Sequence, residues 1–257
     1  MKFIGQSSIE PEITVLFNKI KSGENVNILF RAPSGYGKTD LALRMININD
    51  PKGFDYLIPL DGEIQINTYK RLHVLDEIHL LKDPEVIYPL LDSGEHTFIS
   101  CTNESGNLKE AFINRHIQFV FQNYSLEEMQ EFVDCFYKEY YRELPKNFVC
   151  LIANNTQNNP RIAKQICQRL INVFKIYGYP ESEDKLKDYI RNILNIHDGL
   201  SVLQEQYLTV LRTLGTARID LIANYLHVDK ATIQRDIEPY LLYNNKISIS
   251  SRGRTIV

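Results

Sequence analysis

Residues 28–43 read ILFRAPSGYGKTDLAL, and the fold follows from how that stretch is parsed. The apolar run 26–30 predicts a buried strand, APSGYGKT a loop, and residues 39–48, with Leu41, Leu43 and Ile46 at helical spacing, a helix. Strand, glycine-rich loop, Lys-Thr and helix make up the phosphate-cradling loop in the context it requires. Backbone N–H groups of Gly35, Tyr36, Gly37 and Lys38 would wrap a β-phosphate at the positive end of the helix. The Lys38 ammonium would reach the β- and γ-phosphates of ATP. The Thr39 hydroxyl would sit on Mg2+, with Asp40 next in the same helical turn. Ala32 stands where this motif usually opens with glycine. Alanine fits there only at negative φ, so either the loop accepts it or nucleotide binding is weakened.

Working outward, residues 71–76 (RLHVLD) predict a second strand, with a shorter one at 56–59 before it. The second strand delivers two carboxylates at its C-terminal end. Asp76 would hold Mg2+ through water, and Glu77 would orient or deprotonate an attacking water. Read alone, the pair is equally a strand end with two solvated acids. A strand at 97–101 closes on Thr102-Asn103, where Asn103 can position the water. Helices are predicted at 83–91 and 108–112, and a strand at 117–121, with Arg115 just before it. A further helix starts at Pro11, carries Ile13, Leu16, Phe17 and Ile20 on one face, and stops at Gly23. This alternation implies an α/β fold, a parallel sheet covered on both faces with ligand at the strand C-termini.

Beyond Ser125 the strands stop. Helices are predicted at 126–141, 145–154, 160–176 and 182–195, an all-helical second domain. Arg161 falls in the first turn of one of them, where the helix dipole disfavours a cation; it either meets a phosphate or makes a surface ion pair. From Gly199 three helices (200–214, 218–226, 230–243) and two short strands (246–250, 254–257) describe a winged helix. That segment carries seven Lys/Arg against five Asp/Glu, but from Lys246 onward only the cations Lys246, Arg252 and Arg254. A basic wing tip, with both arginines projecting beside Gly253, fits DNA phosphates; Asp236 and Glu238 on the third helix fit protein docking instead.

The bulk properties set bounds. With 44% hydrophobic and 24% charged residues the chain is globular, and its net charge of −3 means that any DNA contact must be a local patch. Cys101, Cys135, Cys150 and Cys167 are scattered without metal-site spacing and read as reduced thiols. No apolar run approaches the ~20 residues of a membrane span, and the first residues lack a signal-peptide core, so a cytoplasmic protein is expected.

In this order the motifs resemble those of AAA+ ATPases, and most closely the RuvB family of bacterial Holliday-junction branch-migration motors. Phe3-Ile4-Gly5-Gln6 is similar to the family's adenine-contacting motif, and LDEIHLL (75–81) to its second nucleotide motif. Tyr88-Pro89-Leu90-Leu91-Asp92 resembles the helix that follows, and CTNESGNLKEAFINRH (101–116) its sensor-1 and arginine-finger segment. NNPRIAKQICQRL (158–170) resembles the sensor-2 helix; IEPYLL (237–242) and SRGR (251–254) resemble the end of its winged helix. The resemblance implies an ATPase domain at 1–122, a helical lid at 123–198 and a DNA-binding winged helix at 199–257. It implies Asn103 as sensor 1, Arg115 as a finger reaching a neighbouring subunit, Arg161 as sensor 2, and Ile4, Gly5 and Tyr124 near the adenine. A homo-oligomer, a hexameric ring, acting on four-way-junction or duplex DNA would follow. Read from the residues, Arg115 lies beyond the ligand edge of the sheet, where a partner's site could meet it, with a domain-face ion pair as the lesser alternative. The family's hairpin that docks RuvA has no room here, because only residues 93–97 separate Asp92 from the next strand, so a RuvA-like partner is not expected. The alternatives left open are a loader-type switch and a nucleotide-binding scaffold.

Overall fold

The computed structural model describes residues 4–47, 53–103, 106 and 108–257; Phe3, Ile48, Glu104, Ser105 and Asn107 of the segments above lie outside them. Its contacts divide the chain into two compact units, residues 1–131 with 159–161 and residues 132–158 with 162–257.

In the first unit, β1 (Asn27–Arg31) carries Ile28, Leu29 and Phe30, all fully buried. A strand apolar on both faces belongs inside a parallel sheet. β2 (Phe54–Leu57), β3 (Leu72–Leu75), β4 (Thr97–Thr102) and β5 (Ile117–Val120) complete that sheet in the order β2-β3-β4-β1-β5, every pairing parallel. α1 (Glu10–Lys21) and α2 (Lys38–Asn47) bury Ile13, Leu16, Ile20, Leu41, Met45 and Ile46 with one set of strand side chains. The other set, including Leu29, Leu75 and Phe98, packs with Ile78, Ile87, Leu91 and Phe112. α1 begins with Pro11, has Glu10 and Glu12 in its first turn and Lys19 and Lys21 in its last, matching the helix dipole at both ends. The helix expected at 83–91 is instead a 3-10 turn (Pro84–Ile87) followed by α3 (Tyr88–Asp92), because Pro89 lacks the N–H that a continuous helix would direct to the Glu85 carbonyl. α4 (Glu110–Ile113) leads into β5.

The second unit holds most of α5 (Leu126–Tyr140), then α6 (Lys146–Ala153), α7 (Pro160–Tyr177) and α8 (Glu183–Asp188), which runs on into a π turn at Tyr189–Ile193. Its C-terminal part is built on α9 (Val202–Leu214), whose Ser201 and Gln204 form a reciprocal capping box. α10 (Ile219–Leu226) follows, then α11 (Lys230–Thr232), which continues through a π turn into α12 (Glu238–Tyr243). β7 (Ile247–Ser250) and β8 (Gly253–Ile256) form the wing, and β6 (Thr216–Ala217), too short to read from sequence, adds a third strand beside β8.

The wing corrects one expectation. The turn is Ser251-Arg252, and Gly253 is already the first residue of β8, at φ +138°. A Cβ at Gly253 would come 2.4 Å from the Ala217 carbonyl oxygen. Arg252 is exposed at the turn, but Arg254 points inward: its Nε donates to Glu238 Oε1 at 2.8 Å, and Tyr207 Oη donates to the same oxygen at 2.8 Å. Glu238 is 3% exposed, so it is a buried anchor of α12 and not a docking acid. Arg254 therefore clamps the wing's base and is withdrawn as a DNA contact.

Two predictions follow from these buried polar groups. Arg254→Ala leaves a buried carboxylate unpaired and should cost about 3–5 kcal/mol of stability, whereas Arg252→Ala, at an exposed turn, should stay near the parent; thermal melting of both variants decides. His116, buried with Nδ1 donating to the Phe112 carbonyl, and His73, buried beside His96, are each held down to about 4, chiefly by burial. The unfolded chain takes up protons below its ordinary histidine pKa while the folded chain does not, so stability should rise with pH from about 4 to 6.5 and level off above. Urea unfolding at pH 5 should read up to about 2 kcal/mol per histidine below pH 7.5, and His116→Asn should remove its share.

Candidate nucleotide site

The loop between β1 and α2 takes its shape from two glycines in the left-handed region, Gly35 at φ +88° and Gly37 at φ +87°. Ala32 is not among the positive-φ residues and is buried, so the loop accepts it without strain. Lys38, 6% exposed, turns its Nζ back to donate to the carbonyls of Ala32 at 2.7 Å and Pro33 at 3.0 Å. Its pKa is lowered by burial, against which Glu77 and Asp76 hold the charge. Asp40 is exposed and pairs with Arg44 one turn on, so its carboxylate belongs to the helix surface.

Facing the loop, the end of β3 delivers its acids as read from the sequence. Asp76 Oδ2 accepts from Thr39 Oγ1 at 2.9 Å and from Tyr56 Oη at 2.8 Å, while Oδ1 accepts the Glu77 N–H at 3.0 Å. The Tyr56 hydroxyl is held in its neutral form, first by burial and then by Asp76. Glu77 adopts φ +51°, ψ +41°, a left-handed conformation uncommon outside glycine. Its Oε2 lies 3.5 Å from His79 Nδ1, which is also 3.3 Å from Thr102 Oγ1 at the end of β4. Asn103, next along, has its Oδ1 buried with no hydrogen-bond partner among the described residues.

Two further groups close on the loop. Arg161 Nη1 donates to Ser34 Oγ at 2.7 Å, and Asn159 Nδ2 donates to the Ser34 carbonyl at 3.1 Å. A Cβ on Gly35 would meet Asn159 Oδ1 at 2.4 Å, so the loop is shaped to admit this pair. On the other flank Gly5, at φ +76°, lies under the Tyr124 ring, whose hydroxyl donates to the Tyr36 carbonyl at 3.1 Å; the Tyr36 and Tyr124 rings meet edge-on at 5.8 Å. Gln6 fastens this flank by exchanging two 2.7 Å hydrogen bonds with the Gln122 backbone. Ile4, half-buried, precedes it.

Arg115 is held away from the loop. Its Nε and Nη2 grip the Asp92 carboxylate at 2.8 and 3.0 Å, Nη1 donates to the Ala111 carbonyl, and the guanidinium lies 4.2 Å above the Tyr88 ring. Lys246, half-buried, and Arg252 belong to the wing.

The residues present fit a nucleotide with Mg2+. An orphaned polar atom on Asn103 awaits a partner, Lys38 and Arg161 offer cations, and Thr39 with Asp76 offers the hard oxygens that Mg2+ takes. Among the described residues no group of three or more His, Cys, Asp or Glu could hold a metal by itself. Phosphate oxygens would have to complete its shell. Sequence reading gave no role to Tyr56, Ser34, Asn159 or His79, although the last three lie inside the motifs quoted above, as does Gln6, which it placed in the adenine-contacting motif. Of these only Asn159 carried a local signal, an Asn before Pro at a helix start.

Residues 197–257 match the RuvB C-terminal winged helix domain. The chain is 27% identical to the Holliday junction branch migration complex subunit RuvB of Mycoplasma genitalium, over 99% of this chain and 92% of that protein. It is also 27% identical to the same-named subunit of Helicobacter hepaticus, over 98% of this chain and 88% of that one. The solved RuvB Holliday junction branch migration motor of Thermotoga maritima superposes with a TM-score of 0.84 at 23% identity, over 99% of this chain and 93% of that one. Since the likeness runs nearly end to end and is not confined to a phosphate loop that many proteins share, the chain is RuvB-like over nearly its whole length.

Proposed function

We propose that the protein hydrolyses ATP to move branched or duplex DNA, acting as a minimal Holliday-junction branch-migration motor. The observation that carries this is the Thr39–Asp76 hydrogen bond, which joins the phosphate loop's helix to the acidic strand end. The division of labour we infer is an ATPase domain at 1–122, a helical lid at 123–198 and a winged helix at 199–257, working in the cytoplasm.

Bound ATP with Mg2+ would supply the phosphoanhydride bond and the cation that offsets its charge. Lys38 and the loop N–H groups would bind the β- and γ-phosphates, while Thr39 and Asp76 would hold the metal side. Glu77, turned by its left-handed backbone, would orient the attacking water and accept its proton at a carboxylate oxygen. Asn103 would fix the same water, and Arg161 would meet phosphate from beside Ser34. Gly5, Ile4, Tyr36 and Tyr124 would receive the base. Arg115, on exchanging Asp92 for a neighbour's γ-phosphate, would complete the site between subunits of a hexameric ring. On the wing, Arg252 and Lys246 remain as DNA contacts. Residues 93–96 join α3 directly to β4, so docking of a RuvA-like partner through a hairpin there is not part of the proposal.

With ATP and Mg2+ the chain should convert a synthetic four-way junction into duplex products. Glu77→Gln should keep nucleotide binding but turn over at least about tenfold more slowly and lose branch migration. Hydrolysis without any movement of DNA would favour a switch over a motor, and unchanged turnover in Glu77→Gln would remove that residue from the mechanism.

Sharing of the site has its own signature. Arg115→Ala should lose about 10³-fold or more in rate while binding nucleotide normally, and mixing it with inactive Lys38→Ala should restore part of the activity. Absence of rescue across a range of mixing ratios would mean that each subunit works alone.

A further inference from the structure

Thr39, Asp76 and Glu77 carry the nucleotide signature, yet the Asp76 carboxylate has a third side-chain or backbone donor that no phosphate-loop pattern calls for. Tyr56 sits on β2, the edge strand of the sheet, in register with Val74 of β3. The ladder runs one bond further, since Asp76 N–H donates to the Leu57 carbonyl at 2.9 Å. Successive side chains of a strand point to opposite faces. Asp55 is thereby committed to Lys70 on one face, while Tyr56 extends its ring along the other and delivers its hydroxyl 2.8 Å from Asp76 Oδ2. The ring is 43% exposed, whereas Asp76 is 7% exposed, so the hydroxyl leaves the solvent side to meet a nearly buried acceptor.

We propose that Tyr56 is a positioning residue for the metal side of the site: its hydroxyl orients Asp76 and thereby sets how strongly Mg2+ reinforces nucleotide binding. This rests on the reading of the site as one for ATP with Mg2+. With Tyr56 and Thr39 on Oδ2 and the Glu77 N–H on Oδ1, both carboxylate oxygens are engaged and the group cannot swing about its terminal bond. Thr39 must then point its hydrogen at Asp76, which leaves its lone pairs for a cation. Without Tyr56, Oδ2 keeps a single donor, Thr39, and the angle at which the carboxylate meets that hydroxyl is less tightly set.

The test titrates Mg2+ against a fluorescent ADP analogue bound to the full chain, in the parent and in Tyr56→Phe, Asp76→Asn, the double variant and Lys38→Ala. Tyr56→Phe keeps the ring and with it the packing of β2, so its melting should match the parent's. We expect metal-free affinity within twofold of the parent and a Mg2+ requirement raised about three- to tenfold, the size of one charge-assisted hydrogen bond open to water on one side. In the Asp76→Asn background the same change should do nothing. A Mg2+ requirement within twofold of the parent overturns the inference, as does an equal shift in the Asp76→Asn background, which would mean that Tyr56 acts through the strand. If Lys38→Ala binds like the parent, or if Mg2+ never strengthens parental binding, the nucleotide site itself is misread and the inference falls with it.

Discussion

One nearly buried carboxylate ties three elements of the sheet domain together. Asp76 must find donors for its oxygens, because an unsatisfied charge in that position costs several kcal/mol. They come from the first turn of α2, from the edge strand β2 and from its own successor in the chain. The last of these has a geometric effect. To donate back to Asp76, the backbone turns at Glu77 into the left-handed region, at a local cost of about 1–2 kcal/mol. The strain is stored where the chain must reverse, and it carries the second acid toward His79 and the end of β4.

Charge around the loop is balanced in the same way. Lys38 is buried, and burial alone would drive it toward its neutral form; Glu77 and Asp76 oppose this, while Arg161 adds repulsion. The charge on Lys38 thus depends on the two acids beside it, and truncating either acid removes part of what holds it. At Arg115 the same logic has a different outcome. A bidentate carboxylate and an aromatic face satisfy the guanidinium within its own subunit, so the ion pair describes its arrangement here, and a role as a finger remains part of the proposal.

How much of this was readable depended on sequence distance. Strand β1, the loop, α2 and the acidic end of β3 are contiguous patterns, and all four lie where they were expected to within a residue or so. The winged helix was legible as helices and hairpin because each is a local signal. Arg254 was misread for the opposite reason: its partner Glu238 lies sixteen residues upstream, and nothing near SRGR indicates a carboxylate waiting in the core. Tyr56 was invisible on the same ground, since its acceptor is reached only by crossing from β2 to β3. The helix at 83–91 failed differently, through Pro89 in its interior, whose effect outweighed the apolar spacing.

The geometry at Gly253 divides the wing into a part that can drift and a part that cannot. Any side chain there would enter the Ala217 carbonyl, and the next residue is locked to Glu238 and, through it, to Tyr207 of α9. Two positions earlier, the exposed Ser251-Arg252 turn meets no such barrier. Insertions and charge changes at that tip can be sampled without disturbing the core below. Descendants of this chain could therefore retune what the wing touches by varying its tip alone, while length and identity at its base stay frozen by packing.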